Sequence, residues 1–505
     1  MVAMMTALST ASLVSIDAIA LAPALLPAIG GVLVLLGDAL LPGRRDWQVG
    51  LGLTVLVVGV VGALISAVQA ADDAVRTLCL PAPEGACLWT GSPMTGTLQV
   101  GILAATAAAL ALLHDRDGGP RDTTVTTALL LAAATGGAGV AASRDLGTWL
   151  VTLELATIPL VALVALRGTR SAAHGALTLL VTSVTSFALL VLGVALWMTA
   201  TGDAAFGTDT VALAWADLNR RGVLVLAAVV LLAGLGFKLS LVPFHAWTPQ
   251  AYSTADLGTA TALAAASKIS AAAALLVVVQ AFVGVPGDLR QVSIVLGTLA
   301  AASMLLGNVM ALRQDDVTRL LAWSTVAQAG WVVLPLAALT TAGMNAAAVY
   351  VLTYAVATVV AFAAVAAVGA GPLSRMRGLL RRDRMTGGAL AFALLVLAGL
   401  PPGVIGLVAK VVALRPAVEQ GLWPLVFVAV VAVVLGIAVY LRWFAVLIGD
   451  AGARGDADEG SEPGAATHEV STPASGGGAR VVLVAGTVLL VLLSALPGLL
   501  LGLVS

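Results

Sequence analysis

Three amines and one carboxylate stand out in this 505-residue chain because of where they fall. Lys238, Lys268 and Lys410 are its only lysines, and each lies inside a long apolar run; Glu154 lies about midway along another, LGTWLVTLELATIPLVALVAL. An ionised side chain at the centre of a bilayer costs about 2.5–3.5 kcal/mol on insertion scales. Groups kept at that cost read as proton carriers, since amines and carboxylates exchange protons without further chemistry. His245, in GFKLSLVPFHAWTPQAY, is a candidate relay because imidazole titrates near neutral pH; the alternative is a hydrogen-bonded structural histidine. Burial disfavours the charged form of amine and carboxylate alike, and placed together each would hold the other charged. The sequence does not say whether Glu154 meets Lys238, but opposite charges within one bundle generally find each other.

The elements that must position these groups are membrane helices. Sixty per cent of residues are hydrophobic, 10% are charged and the mean hydropathy is +1.06, which excludes a soluble globular domain. A net charge of -1 and scattered basic residues exclude a nucleic-acid footprint. A hydrocarbon core about 30 Å thick needs roughly twenty apolar residues per span. Windows of that size give an all-α polytopic protein with fourteen spans, near 16–41, 49–70, 95–113, 123–142, 146–166, 171–200, 222–247, 256–283, 289–312, 316–342, 343–370, 387–414, 421–448 and 480–504. The first has no basic residues before it and is expected to stay rather than be cleaved as a signal. The polar stretch 449–480, which contains His468, reads as a disordered linker without chemistry.

Short cytoplasmic loops carry an excess of Lys and Arg. With both termini outside the cytoplasm, the loops after odd-numbered spans hold sixteen arginines, among them Arg167, Arg313, Arg319 and the group from Arg375 to Arg384, against six on the other side. The same orientation puts Cys79 and Cys87 on the oxidising side, where a disulfide is expected; the alternative is two free thiols in one loop.

Pro243, five residues after Lys238, removes a backbone donor and should break its helix. The pattern recurs at GLPPGVIGLVAK, where Pro401, Pro402 and Gly403 precede Lys410. Broken helices line ion sites in transporters, and two of them in separate halves suggest internal repeats, spans four to eight and nine to thirteen, of inverted topology. A proline kink with a structurally paired lysine is the plainer reading, but a kink alone does not call for a lysine. Lys268 lies among Ala and Ser in SKISAAAAL, so a neighbouring helix can approach closely and bury the amine inside protein. Ser324, Thr325 and Gln328 could hold water, or could simply hydrogen-bond between helices. His114 and His174, near helix ends, carry no functional reading.

The stretches GFKLSLVPFHAWTPQAY, SKISAAAAL, NVMALRQDDVTRLLAWSTVAQAGW and GLPPGVIGLVAK, in that order, resemble the antiporter-like membrane subunits of respiratory complex I, most closely the N type. The resemblance covers spans four to thirteen. It implies fourteen helices and two inverted five-helix repeats: N-terminal helices over 1–113, repeats over 123–283 and 289–448, a linker over 449–479 and a last helix over 480–505. It also implies proton translocation through Glu154, Lys238, Lys268 and Lys410, the four residues that cost alone selects. Lysine at 410 points away from the M type, and a chain without a long lateral helix points away from the L type. Gln250 and Gln328 depart from the family pattern, the second where a histidine is common. An amide can order water but does not take up a proton at working pH.

The resemblance further implies that NADH, flavin, iron–sulfur clusters and quinone belong to other subunits, and this sequence has no glycine-rich dinucleotide fingerprint or ligand-spaced cysteine set. A bias to Arg, Ala and Gly suggests a GC-rich bacterial genome, and with it menaquinone. Expected partners are the M-type antiporter-like subunit and small K- and J-type subunits in a bacterial plasma membrane. A subunit of a multisubunit cation/proton antiporter, or of a membrane-bound hydrogenase, is the alternative.

Overall fold

The structure, a computed structural model, describes residues 16–40, 45–71, 73–79, 87–114, 122–449 and 477–504. In hydrocarbon every backbone polar group must be satisfied internally, so apolar runs of this length fold as helices. Three precede the first half: α1 (Ala18–Leu40), α2 (Arg45–Gln69) and α3 (Pro93–Leu113). Next come α4 (Thr123–Ala142), α5 (Leu146–Leu155), α6 (Ile158–Leu166), α7 (Arg170–Thr201), the short α8 (Thr208–Ala216) and α9 (Leu218–Leu239). The first half closes with α10 (Trp247–Thr254), α11 (Leu257–Ala264) and α12 (Ala266–Gln280). The second contains α13 (Arg290–Leu312), α14 (Val317–Val333), α15 (Thr341–Val368), α16 (Arg384–Ala398), α17 (Val404–Glu419) and α18 (Trp423–Ile448). After residues 450–476 come α19 (Gly477–Ala495) and α20 (Pro497–Val504).

Thirteen helices among the described residues are long and apolar enough to cross a membrane, and the interrupted pair α16 and α17 supplies a fourteenth span. Most expected boundaries hold within a few residues. The span expected at 222–247 instead begins at Leu218 and breaks after Leu239, and that at 387–414 extends to Arg384–Glu419 with a gap after Ala398. The expected linker lies largely outside the described residues, and from Gly477 the chain is already helical. Several loop acids have a structural use. Asp122, Asp145, Asp217, Asp316 and Asp383 each cap a helix N-terminus by accepting from backbone N–H groups in its first turn.

The helices divide into a protein-buried centre and a lipid-facing rim. The most apolar stretches of Leu257–Gln280 and Val317–Ala338 are each 94% buried, against 33% for Arg170–Thr201 and 22% for Gly477–Ala495. Apolar side chains exposed along α7, α18 and α19 therefore form an apolar rim suited to lipid or to other membrane subunits, and the centre is where a polar group can be shielded. Between α2 and α3, β1 (Val75–Cys79) pairs antiparallel with β2 (Cys87–Gly91), and Cys79 lies opposite Cys87 in a disulfide. Trp89 Nε1 donates to Ala20 O (3.1 Å) and Arg144 N to Leu88 O (3.0 Å), so the hairpin ties the ends of α1 and α4 together.

Candidate proton-transfer site

Every buried lysine and the buried glutamate sit beside a helix break. α9 ends with Ser240 in the left-handed conformation (φ 67°), and Leu241 N bonds back to Gly236 O, closing a Schellman-type turn before Pro243. α16 ends alike: Gly399 is left-handed (φ 78°), Leu400 N bonds to Leu395 O, and Pro401 and Pro402 follow. Each break leaves carbonyls without helical donors at the negative end of a helix dipole, where an ammonium is favoured. Lys268 Nζ donates to Lys238 O (2.8 Å), and Lys410 Nζ donates to Leu397 O (2.9 Å) and Ala398 O (2.6 Å).

A third break lies at Glu154. α5 stops at Leu155 and α6 begins at Ile158, with Pro159 unable to supply the N–H that Leu155 O would accept in a continuous helix. Gly136 of α4 packs against this break so closely that a Cβ there would collide with the backbone of Ala156, Leu155 and Thr152. Glu154 Oε1 is 2.8 Å from Lys238 Nζ, with the two side chains 12% and 3% exposed, and Lys238 Nζ also donates to Thr157 Oγ1 (3.1 Å). A fourth break, at Ala265 between α11 and α12, precedes Lys268.

Glu154, Lys238 and Lys268 thus form one cluster. Lys268 completes its shell with Ser240 Oγ (2.7 Å) and the face of Trp247, 4.6 Å from the ring centre, a cation–π contact. Thr248 Oγ1 donates to Ser240 Oγ (2.6 Å). A small cavity of about 20 Å3 beside Lys238, lined in part by Thr157, Thr182, Ser183 and Ser267, is the size that admits a single water. Ser183 Oγ is buried there without a hydrogen bond. Among these described groups Lys238 is paired with a carboxylate, whereas Lys268 is held by a carbonyl, a hydroxyl and an aromatic face. Breaking such a pair by removing one partner costs about 3–5 kcal/mol.

Lys410 belongs to a second cluster. Gln328 Nε2 donates to Tyr440 Oη (2.7 Å) and, at 3.4 Å, to Leu397 O, the carbonyl that also receives Lys410. Tyr350 Oη donates to Gln328 Oε1, Ser324 Oγ pairs with Tyr440 Oη (2.7 Å), and Tyr354 Oη donates to Thr325 Oγ1 (2.8 Å). All four tyrosines of the chain, Tyr252, Tyr350, Tyr354 and Tyr440, are buried. His245 joins neither cluster by a hydrogen bond. Its ring packs against Trp323, 5.1 Å between centres, and its Nδ1 is buried without a partner. Sequence reasoning missed Thr157, Ser240, Trp247 and the tyrosines. The available signal was that Tyr350, Tyr354 and Tyr440 fall inside expected spans, although tyrosine usually collects at the membrane–water boundary.

Residues 143–436 match the family described as NADH:quinone oxidoreductase/Mrp antiporter, transmembrane. An NADH-quinone oxidoreductase subunit N from Streptomyces griseus is 38% identical over 458 residues, which span 86% of this chain and 83% of that protein. A chain of respiratory complex I from Thermus thermophilus superposes with a TM-score of 0.76 at 28% identity, covering 95% of this chain and 98% of that one. A chain of the Mrp complex from Dietzia sp. superposes with a TM-score of 0.80, covering 96% of each chain, but at 20% identity it speaks to the fold alone. With lysines, glutamate and helix breaks arranged as described, and with this breadth of similarity, the chain belongs to the NADH-quinone oxidoreductase subunit N family.

Proposed function

We propose that this chain is a proton-translocating membrane-arm subunit of NADH:quinone oxidoreductase, which moves protons through Glu154, Lys238, Lys268 and Lys410 while electrons pass from NADH to quinone in other subunits. The observation that carries the reading is the contact chain Glu154–Lys238–Lys268, in which the lysine paired with the carboxylate also offers its carbonyl to the second lysine. A proton that moves onto Glu154 removes the counter-charge of Lys238, and one that leaves Lys238 removes the ion pair. Each state biases the next. Half-buried beside Trp323, His245 serves in this reading as a proton relay, since imidazole titrates near neutral pH.

The shared chemistry of the breaks after α9 and α16, a left-handed residue and then a proline three positions on, supports two repeats over 123–283 and 289–448. The arginine bias and the disulfide-closed hairpin support an orientation with both termini outside the cytoplasm. Neighbouring M-type and small K- and J-type subunits would cover part of the apolar rim, and flavin, iron–sulfur clusters and quinone would lie outside this chain.

Arginine separates a proton carrier from a structural cation, because it keeps the charge but stays protonated at any working pH. In membrane vesicles, Lys238→Arg and Lys238→Ala are both expected to assemble and to pump about a hundredfold or more slowly, the scale of a lost proton-transfer group. Glu154→Gln is expected to be impaired as well. Near-normal pumping by the arginine variant, with assembly checked on native gels, would refute the carrier role.

A further inference from the structure

We infer that a chain of buried hydroxyls, Tyr252, Thr325 and Tyr354, joins the Lys268 cluster to Lys410, with Gln328 as a positioning residue that aims Tyr350 at its far end. This rests on the proposed proton-carrying role of the lysines and adds the route between them. Lys268 and Lys410 share no hydrogen-bond partner, and a membrane interior offers an isolated proton no place to rest between them.

The hydroxyls occupy the seam where α10, α14 and α15 meet in the centre of the molecule. Near Lys268, Ser240 and Thr248 are already hydrogen-bonded to one another. One turn along α10 from Thr248, Tyr252 is completely buried, and its Oη lies close to Thr325 and Tyr354 without a hydrogen bond of good geometry to either. Tyr354 Oη donates to Thr325 Oγ1. Tyr354 and Tyr350 then line a cavity of about 10 Å3 together with Gln328, Leu397 and Ala409, the last two adjoining Lys410 or its acceptor. That volume is close to the minimum for one water, and the walls supply the polar partners a water needs.

Gln328 itself cannot take up a proton at working pH. It uses both ends of its amide to hold the cluster, accepting from Tyr350 and donating to Tyr440 and Leu397 O. A proton crosses by relay. Each hydroxyl oxygen accepts a proton from the Lys268 side and releases its own toward Lys410. One ammonium loses a proton, the other amine gains one, every oxygen keeps one hydrogen, and only N–H and O–H bonds change.

The test uses the assembled complex in inside-out vesicles, comparing proton uptake per NADH oxidised in Tyr354→Phe, Thr325→Val and the double variant. Both substitutions keep shape and remove only the hydroxyl. Each is expected to lower pumping about a hundredfold, by analogy with loss of one proton-transfer group, and the double variant to be no worse than either alone, because one route is cut twice. Near-normal pumping in both single variants overturns the inference, as do losses that multiply in the double variant, which would mark independent packing defects. Should one variant fail to assemble, the other decides by its own rate. Normal pumping here with Lys238→Arg inactive would remove the hydroxyl route alone, whereas an active Lys238→Arg would remove the carrier reading beneath it.

Discussion

Lys268 meets Lys238 through a carbonyl and not through a second ammonium, which lets two amines share a neighbourhood without facing each other. Ser240 sits at the junction. Its backbone is left-handed, its Oγ accepts from Lys268, and it also receives Thr248. Ser240→Gly should therefore fit the backbone better while losing the oxygen. Assembly is expected to stay normal while pumping falls several-fold, and a variant that pumps normally would show that the hydroxyl is dispensable. Legibility at this scale follows cost. Lys238, Lys268, Lys410 and Glu154 were readable because a charge in an apolar run is too expensive to be incidental. Ser240, Thr157 and Tyr354 were not, because uncharged polar residues are common in membrane helices and their use depends on what another helix brings alongside.

At the scale of elements, the breaks after Leu239 and Ala398 were legible from Pro243 and the Pro401–Pro402 pair. The break at Glu154 had a signal of the same kind in Pro159, obscured because the mainly apolar run around it has the length of one continuous span. The break at Ala265 had none: an alanine-rich run looks like uninterrupted helix, and only tertiary packing bends it. Gly136 marks the Glu154 break from the opposite helix. Gly136→Ala forces α4 away from the α5–α6 junction, at a cost of about 1–3 kcal/mol for overpacking. Less assembled complex and a lower Tm are expected, with weakened pumping in what assembles.

The cap of α16 offers a pH-dependent check outside the membrane. Partial burial pushes the Asp383 carboxyl up, but hydrogen bonds from Thr386 and Met385 and the charge of Arg480 outweigh it and hold the group below its ordinary range. A depressed carboxylate stabilises the fold above the unfolded value and loses that contribution as pH falls through the folded one. Asp383→Ala is expected to cost about 1 kcal/mol at neutral pH. The difference in thermal stability between the two proteins should shrink as the medium is acidified below the usual aspartate range.

For the whole molecule, composition alone established a polytopic helical protein, and arginine placement gave an orientation that can be tested. If the hairpin lies outside the cytoplasm, Cys79 and Cys87 should resist a membrane-impermeant thiol reagent until reduced. They should then be labelled in right-side-out vesicles and spared in inside-out ones. Labelling with the opposite sidedness would invert the topology. The hairpin's own strands, and its ties to α1 and α4, were beyond reach from sequence, since five-residue strands among fourteen apolar spans leave no periodicity to read.

The contrast between centre and rim also sets how this protein can change over generations. Lipid accepts any apolar side chain, so Leu, Val, Ile and Ala can interchange along α7, α18 and α19 at little cost to the organism. The helices over Leu257–Gln280 have no such latitude: Ala260, Ala264, Ala265 and Ala274 are fully enclosed, and an added methyl has nowhere to go. Random substitution is therefore filtered unevenly, and sequence divergence in a lineage should accumulate at the periphery while the alanine-lined middle is held nearly constant.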